Sequence, residues 1–76
     1  MNKAGVVRIK LDKYLDQIGV SRYYLAKKSG IDYSTLDKYY KNSIFRFDSN
    51  ILARICDSLE CDIFDIVEYI KKEADT

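Results

Sequence analysis

Two different spacings of apolar residues follow each other near the start of the chain. Residues 6–10 alternate weakly between apolar and polar side chains, which is typical of a short strand or an extended arm. Leu11, Leu15 and Ile18 then recur every three or four residues up to Gly19. This second spacing predicts a first helix with one apolar face.

Residues 21–40 have the pattern of a helix, a glycine turn and a second helix. Ser21 is a suitable N-cap, because its hydroxyl can accept a hydrogen bond from a free amide of the first turn. Leu25 and the small Ala26 fall on the inner side of the predicted helix 22–29. Gly30 adopts the left-handed conformation at little cost, so we expect it to end this helix and turn the chain.

The second helix of the pair is predicted over residues 33–41. Asp32 is its N-cap candidate, and Ile31 is expected to fill the corner between the two helices. Leu36, with either Tyr39 or Tyr40 at the i+3 or i+4 position, gives this helix one apolar stripe.

The C-terminal part of the chain contains two more helical patterns. Segment 42–47 is too apolar for a free loop, so part of it should pack. Ser49 is expected to cap a fourth helix whose inward residues are Ile51, Leu52, Ile55, Cys56 and Leu59. Asp62 is expected to cap a fifth, which carries Ile63, Phe64, Ile66, Val67 and Ile70. The polar tail after Lys71 is expected to fray.

The predicted fifth helix carries more apolar residues than one buried stripe requires. The surplus, with Tyr69 and Ile70 near its edge, predicts a surface that joins two copies of the chain. The alternative is that a very small domain buries these residues itself.

Several of these residues resemble the phage-repressor and Cro type of helix-turn-helix. Ala26, Gly30, Ile31 and Leu36 match its small, turn and core positions, and residues 47–69 are similar to the last two helices of the small stand-alone bacterial members. The resemblance covers roughly residues 10–70. It implies an all-α fold, a five-helix lambda-repressor-like DNA-binding domain, here with the short N-terminal strand or arm. One domain is expected over 1–76, with its motif at about 21–41.

The resemblance also implies which residues meet DNA. In the family, the positions that match Tyr33, Ser34, Lys38 and Lys41 face the bases in the major groove. Lys38 suits guanine O6 and N7. Residues expected at the phosphates, which fix the register without reading sequence, are Arg22, Thr35, Asn42, Ser43 and Arg46. Asp37 either accepts a hydrogen bond from cytosine or pairs with Lys41 one turn on, and we favour the pair.

Charge is divided unevenly along the chain, although its sum is only +1. Residues 1–46 contain ten basic and four acidic residues, giving +6, and residues 47–76 contain three basic and eight acidic residues, giving −5. A basic half that contains the motif suits a DNA phosphate surface, and the acidic half should face away from DNA.

These features predict a sequence-specific DNA-binding transcriptional regulator, with repression as the expected mode and double-stranded DNA as the partner. The alternatives are an antitoxin-like autoregulator and a helical protein-interaction module that has lost DNA binding. No enzyme activity, cofactor, metal or small-molecule ligand is expected, because the chain has no histidine and no glycine-rich phosphate loop. Cys56 and Cys61 are expected to be small buried hydrophobes. No membrane span or secretory segment is evident, so the expected location is cytoplasmic.

Overall fold

The computed structural model describes residues 5–44 and 46–71. Five helices follow a short strand, and a second strand comes last. The elements are β1 (Val6–Ile9), α1 (Leu11–Ile18), α2 (Arg22–Ser29), α3 (Tyr33–Tyr40), α4 (Ser49–Leu59), α5 (Ile63–Ile66) and β2 (Val67–Ile70). The five predicted helices and the predicted N-terminal strand are therefore confirmed.

One small core is shared by all of these helices and by β1. Seven of its side chains are less than 2% exposed, and Tyr39 is the largest of them. Tyr39, not Tyr40, therefore supplies the apolar stripe of α3. Its hydroxyl accepts a hydrogen bond from the backbone N–H of Asp48 at 2.9 Å, which fastens α3 to the start of α4. The core residues are Ile9, Leu11, Leu15, Leu25, Ala26, Ile31, Leu36, Tyr39, Ile55 and Ile66.

The turn between α2 and α3 has the predicted geometry. Ser21 caps α2 by accepting a hydrogen bond from the N–H of Tyr24 at 3.0 Å. Gly30 has φ +75°, and its N–H donates to the carbonyl of Ala26 at 3.0 Å. Ser29 then accepts from the N–H of Ile31 at 3.2 Å, so the corner is closed by local hydrogen bonds. Glycine is favoured here because, in any other residue, a positive φ brings the Cβ atom too close to the backbone carbonyl oxygen.

The fifth helix is shorter than predicted. It ends at Ile66, and the extension to Val67 and Ile70 is wrong, because Val67–Ile70 forms β2. This strand pairs antiparallel with β1 in the register Val6↔Ile70 to Ile9↔Val67. Valine, tyrosine and isoleucine favour strands, and β1 offers backbone partners that a single terminal helical turn lacks.

Two cap predictions had different outcomes. Ser49 is not the cap of α4: Asp48 is, and its carboxylate accepts from the N–H of Asn50 at 2.8 Å. Asp62 does cap α5, and Asp65 closes a capping box by accepting from the N–H of Asp62 at 3.0 Å. An aspartate directly before Ser49 accounts for the shift, because both residue types are good caps.

The segment between α3 and α4 packs in part, as predicted. Ile44 and Phe47 lie half-buried against the core, whereas Phe45 falls outside the described residues. The expected fraying tail, residues 72–76, also lies outside them. Cys56 and Cys61 are free thiols that lie half-buried at the core, so they are less buried than expected.

Candidate nucleic-acid interface

The outer face of α3 is polar and basic. At 3.6 residues per turn, four side chains of α3 and its C-cap position point away from the buried Leu36 and Tyr39. Three of them, Ser34, Lys38 and Lys41, were predicted from the sequence to face the bases, and the fourth is Asp37. Of these four, only Asp37 is half-buried. The buried stripe therefore leaves this helix with a surface that a polyanion could meet.

Tyr33 lies at the start of α3, beside this outer face and still exposed. Ser34 is exposed, and its hydroxyl donates to the carboxylate of Asp32, the residue at the N-cap position. The Asp32 side chain makes no hydrogen bond to the helix amides, which leaves those donors available at the N-terminus of α3.

Asp37 links α3 to α2. One of its oxygens, Oδ1, accepts from Nη1 of Arg22 at the first position of α2, and the other, Oδ2, lies 3.0 Å from Nζ of Lys41. The predicted pairing of Asp37 with Lys41 is thus present. The Lys41 ammonium, together with the Arg22 guanidinium, lowers the pKa of Asp37 below its ordinary value of 3.8, so this carboxyl is ionised at neutral pH.

Arg22 is held by aromatic rings as well as by Asp37. Its guanidinium carbon lies 4.1 Å from the ring centroid of Tyr40 and 6.0 Å from that of Tyr33. The hydrogen bond to Asp37 raises the pKa of Arg22, which keeps its charge at any physiological pH. We call these four residues, Arg22, Asp37, Tyr40 and Lys41, the Arg22 cluster.

Sequence reasoning missed the pairing of Arg22 with Asp37. The two residues are 15 positions apart and belong to different helices, so no local periodicity relates them. A signal was available once the motif was identified: opposite charges occupy the first position of α2 and the second turn of α3, and the turn brings those positions together.

A second group of predicted residues meets beyond the C-terminal end of α3. Lys38, Ser43 and Arg46 line one open cleft with Ile44. The Ser43 N–H donates to the carbonyl of Lys38 at 2.9 Å, which holds the two residues together. Within residues 5–44 and 46–71, no carboxylate lies within 4.0 Å of the Lys38 or Arg46 side-chain nitrogens. The cleft therefore presents two cations that are available to an anion.

The two remaining predicted residues are placed differently. Asn42 follows α3 with φ +56°, and its side-chain oxygen accepts from the N–H of Ile9 at 2.9 Å. Asn42 thus ties the end of α3 to β1, and only its amide nitrogen remains for a phosphate. Thr35 is half-buried on one flank of α3. The structure places Arg22 near Tyr33 and, through Asp37, near Lys41, and it brings Lys38, Ser43 and Arg46 together around the cleft beyond α3.

Two further features concern the described residues as a whole. They contain no group of three or more histidine, cysteine, aspartate or glutamate side chains placed to hold a metal ion. They also include no helix that is both long enough and apolar enough to cross a membrane.

Comparisons with known proteins agree with this geometry. No curated protein matches the chain significantly. Among solved structures, the crystal structure of the transcriptional regulator VanUg (form II) is similar, with a TM-score of 0.72 and 29% sequence identity over 93% of each chain. A family model for the Cro/C1-type helix-turn-helix DNA-binding domain matches residues 10–72, which include all five helices. The chain therefore belongs to the Cro/C1-type family of helix-turn-helix DNA-binding domains.

Proposed function

We propose that this protein is a sequence-specific transcriptional repressor that places α3 in the major groove of double-stranded DNA. The observation that carries the proposal is the outer face of α3, which is polar and basic while its opposite face is buried. The family supplies DNA binding, and the similar solved structure is a transcriptional regulator. Repression follows as the simplest mode, because a small domain that occupies a promoter blocks access to it. Such a protein acts where DNA is, in the cytoplasm.

Base reading is assigned to the exposed residues of α3. Lys38 donates to guanine O6 and N7, and Ser34 gives or accepts one hydrogen bond. Tyr33 packs on a thymine methyl group or reaches a phosphate with its hydroxyl. Lys41 also faces the groove, at the far end of the helix. Because Lys41 is paired with Asp37 whereas Lys38 has no ion pair among the described residues, Lys38 should dominate sequence preference.

Phosphate contacts are assigned to the flanks of α3. Arg22 stands at the N-terminal end of α2, where free backbone amides and the helix dipole also favour an anion. Ser43 and Arg46 line the cleft beyond α3 and suit the backbone of the same groove. Thr35 and the amide nitrogen of Asn42 complete the set. These contacts fix the register and give affinity that depends on salt.

Random-site selection with the purified protein, followed by a salt titration on the selected duplex, tests this proposal. With roughly 4–6 phosphates neutralised per subunit, log K should fall with log salt at a slope of about −4 to −5 per subunit. A flat salt response, or no binding at an assay salt of about 50 mM, where phosphate contacts are strong, would overturn DNA binding as the function.

We further propose that two copies join through an apolar patch on β1, β2 and α5. Val7, Val67 and Tyr69 lie on one face of the two-stranded ribbon, since paired residues in the register Val7↔Tyr69 and Ile9↔Val67 share a face. Ile63 and Phe64 of α5 line the same shallow cleft. We call these five residues the apolar patch.

A second copy of the chain is the partner that best fits this patch. One short recognition helix reads only a few base pairs, each contributing about 1–3 kcal/mol, which is too little to select one site in a genome. A two-fold dimer doubles the readout and sets the recognition helices about 34 Å apart on an inverted repeat. In place of the fifth-helix surface expected from the sequence, the patch combines a helical turn with a strand face, and Ile70 lies on the opposite face from Tyr69.

Val7→Ser and Val6→Ser form a matched pair for this test. Both valines are exposed and adjacent, but they lie on opposite faces of the ribbon. Val7→Ser should weaken self-association in sedimentation and lower affinity for the two-fold site, while Val6→Ser should change neither. Equal effects of the two changes, or a selected site without two-fold symmetry bound by one subunit, would overturn the dimer.

A further inference from the structure

The Arg22 cluster gives Asp37 a role that extends the predicted pairing with Lys41. We propose that Asp37 is a positioning residue of the DNA interface: it holds Arg22 and Lys41 in fixed places and contacts no base itself. This inference rests on the proposed placement of α3 in the groove. Three observations carry it: both carboxylate oxygens of Asp37 are engaged by cations, the guanidinium of Arg22 lies over the ring of Tyr40, and the cluster keeps a net positive charge.

Both oxygens of Asp37 are already engaged by cations. Oδ1 accepts from Arg22, and Oδ2 lies 3.0 Å from the ammonium of Lys41. To read cytosine, the carboxylate would have to turn away from at least one of these partners and accept from the base amino group instead. An ionised carboxylate that remains with its two cations is the better arrangement, since it keeps two charge-assisted hydrogen bonds.

The Arg22 side chain is held by an aromatic ring as well as by Asp37. Its guanidinium lies over the ring of Tyr40 and donates to Asp37, so these two side chains limit the rotamers that the arginine can adopt. A planar guanidinium held in this way still has free N–H donors, because it has five and Asp37 uses few of them. Those donors can meet a phosphate without a further loss of side-chain freedom.

Charge explains why an acidic residue is tolerated on this face. An isolated carboxylate near DNA phosphates would be repelled, but here two positive charges surround one negative charge, and the Arg22 cluster retains a net charge of +1. The Arg22 cluster also spans two helices, so it fixes the position of α3 relative to α2. Loss of the Asp37 carboxylate should therefore have two opposite consequences. It should loosen the position of α3 relative to α2, and it should make the surface that faces DNA more basic.

Asp37→Asn tests these two opposite consequences, and Asp57→Asn is the matched control. The control makes the same change of net charge on α4, at an exposed aspartate with no ion pair in the described part of the chain. Each protein is assayed on the selected duplex and on a random duplex over a salt series, and site selection is repeated with Asp37→Asn. Wild-type binding to the random duplex tests the proposed function independently of Asp37.

We expect Asp37→Asn to lose about tenfold in its preference for the selected duplex over the random one, as is typical when a charged hydrogen-bond partner is removed. The selected sequence should stay the same at every position, and the salt slope should steepen by about one because one more cation is free to meet a phosphate. Asp57→Asn should leave the preference unchanged.

Two results would overturn the proposal. A change of preference at a single base pair would show that Asp37 reads that base. A uniform gain on both duplexes, matched by Asp57→Asn, would show that Asp37 acts only through its charge. If Asp37→Asn does not fold, Arg22→Lys makes the same test from α2: it keeps the charge, loses the planar donor set, and should reduce preference without altering the selected sequence.

Discussion

The outer face of α3 and the apolar patch are two surfaces of opposite character on one small core. On α3 the apolar stripe of Leu36 and Tyr39 is buried, and the side chains on the opposite face are polar or charged. At the ribbon and α5, by contrast, Phe64 is 75% exposed and Tyr69 is 62% exposed. The core, ten of whose buried residues belong to the described part of the chain, thus supports both a polar surface suited to a polyanion and an apolar surface suited to another protein chain.

The two surfaces also differ in how their geometry is held. The α3 face is fixed by two helices, a glycine turn and the Arg22 cluster, so its polar groups are oriented before DNA arrives. The apolar patch rests on one helical turn and a two-stranded ribbon, which is marginally stable by itself. The α3 face is therefore held by more contacts between elements than the apolar patch, which under the proposed dimer is covered by a second copy.

The largest effect should come from Lys38→Ala. Affinity for the selected site should fall by about 1–3 kcal/mol, and affinity for random DNA should fall less, because a base contact specifies whereas a phosphate contact does not. Binding of both duplexes is measured by titration, with Lys27→Ala on α2 as the control for lost charge. If Lys38→Ala lowers both affinities by the same factor, Lys38 contacts only the backbone.

Next in size is Gly30→Val. A β-branched residue at φ +75° should lower the free energy of unfolding by about 1–2 kcal/mol. Gly19→Val is a matched control, since Gly19 has φ +73° and an added Cβ at either glycine meets nothing closer than 4.0 Å. Both variants should melt at a lower temperature, but only Gly30→Val should also weaken DNA binding in the folded protein. If Gly19→Val and Gly30→Val weaken DNA binding equally, Gly30 does not set the angle between α2 and α3.

A smaller effect on stability is expected from Phe64→Ser. The ring is mostly exposed, so the free energy of unfolding should change by no more than about 0.5 kcal/mol. Self-association should weaken, as measured by sedimentation at several concentrations, and binding to a single half-site should not change. A large drop in melting temperature would instead place Phe64 in the core of the isolated subunit.

The last prediction concerns alkaline pH, and no effect is expected at neutral pH. Burial, with the neighbouring Cys56 adding to it, raises the pKa of Cys61 from 9.0 to about 11. Unfolding releases this proton more readily, so the contribution of Cys61 to stability is complete below pH 9 and is lost as the pH rises toward 11. Urea unfolding is measured for the wild-type protein and for Cys61→Ala between pH 9 and pH 11. The free energy of unfolding should fall more steeply with pH in the wild-type protein than in the variant. Parallel curves would show that Cys61 is not shielded from solvent.

Capping residues, glycine turns and apolar periodicity were sufficient to predict the helix-turn-helix motif and most of the helices from the sequence. Ser21, Gly30 and Asp62 were identified correctly because caps and left-handed turns depend on a few adjacent residues. The periodicity of Leu25 and Leu36 located the core in the same way. The family resemblance, stated from the motif and the segment after it, was confirmed because both carry enough spacing information to be specific.

Only the tertiary structure decided the end of the chain and the electrostatics of the interface. Val67–Ile70 has an apolar pattern compatible with a helix, and it became a strand because β1, some sixty residues earlier, offers a free edge with which its backbone can pair. Arg22 and Asp37 became partners because the turn at Gly30 sets the crossing of two helices. Periodicity reports which side of an element is apolar, but the neighbour against which that side packs depends on distances that exist only after folding.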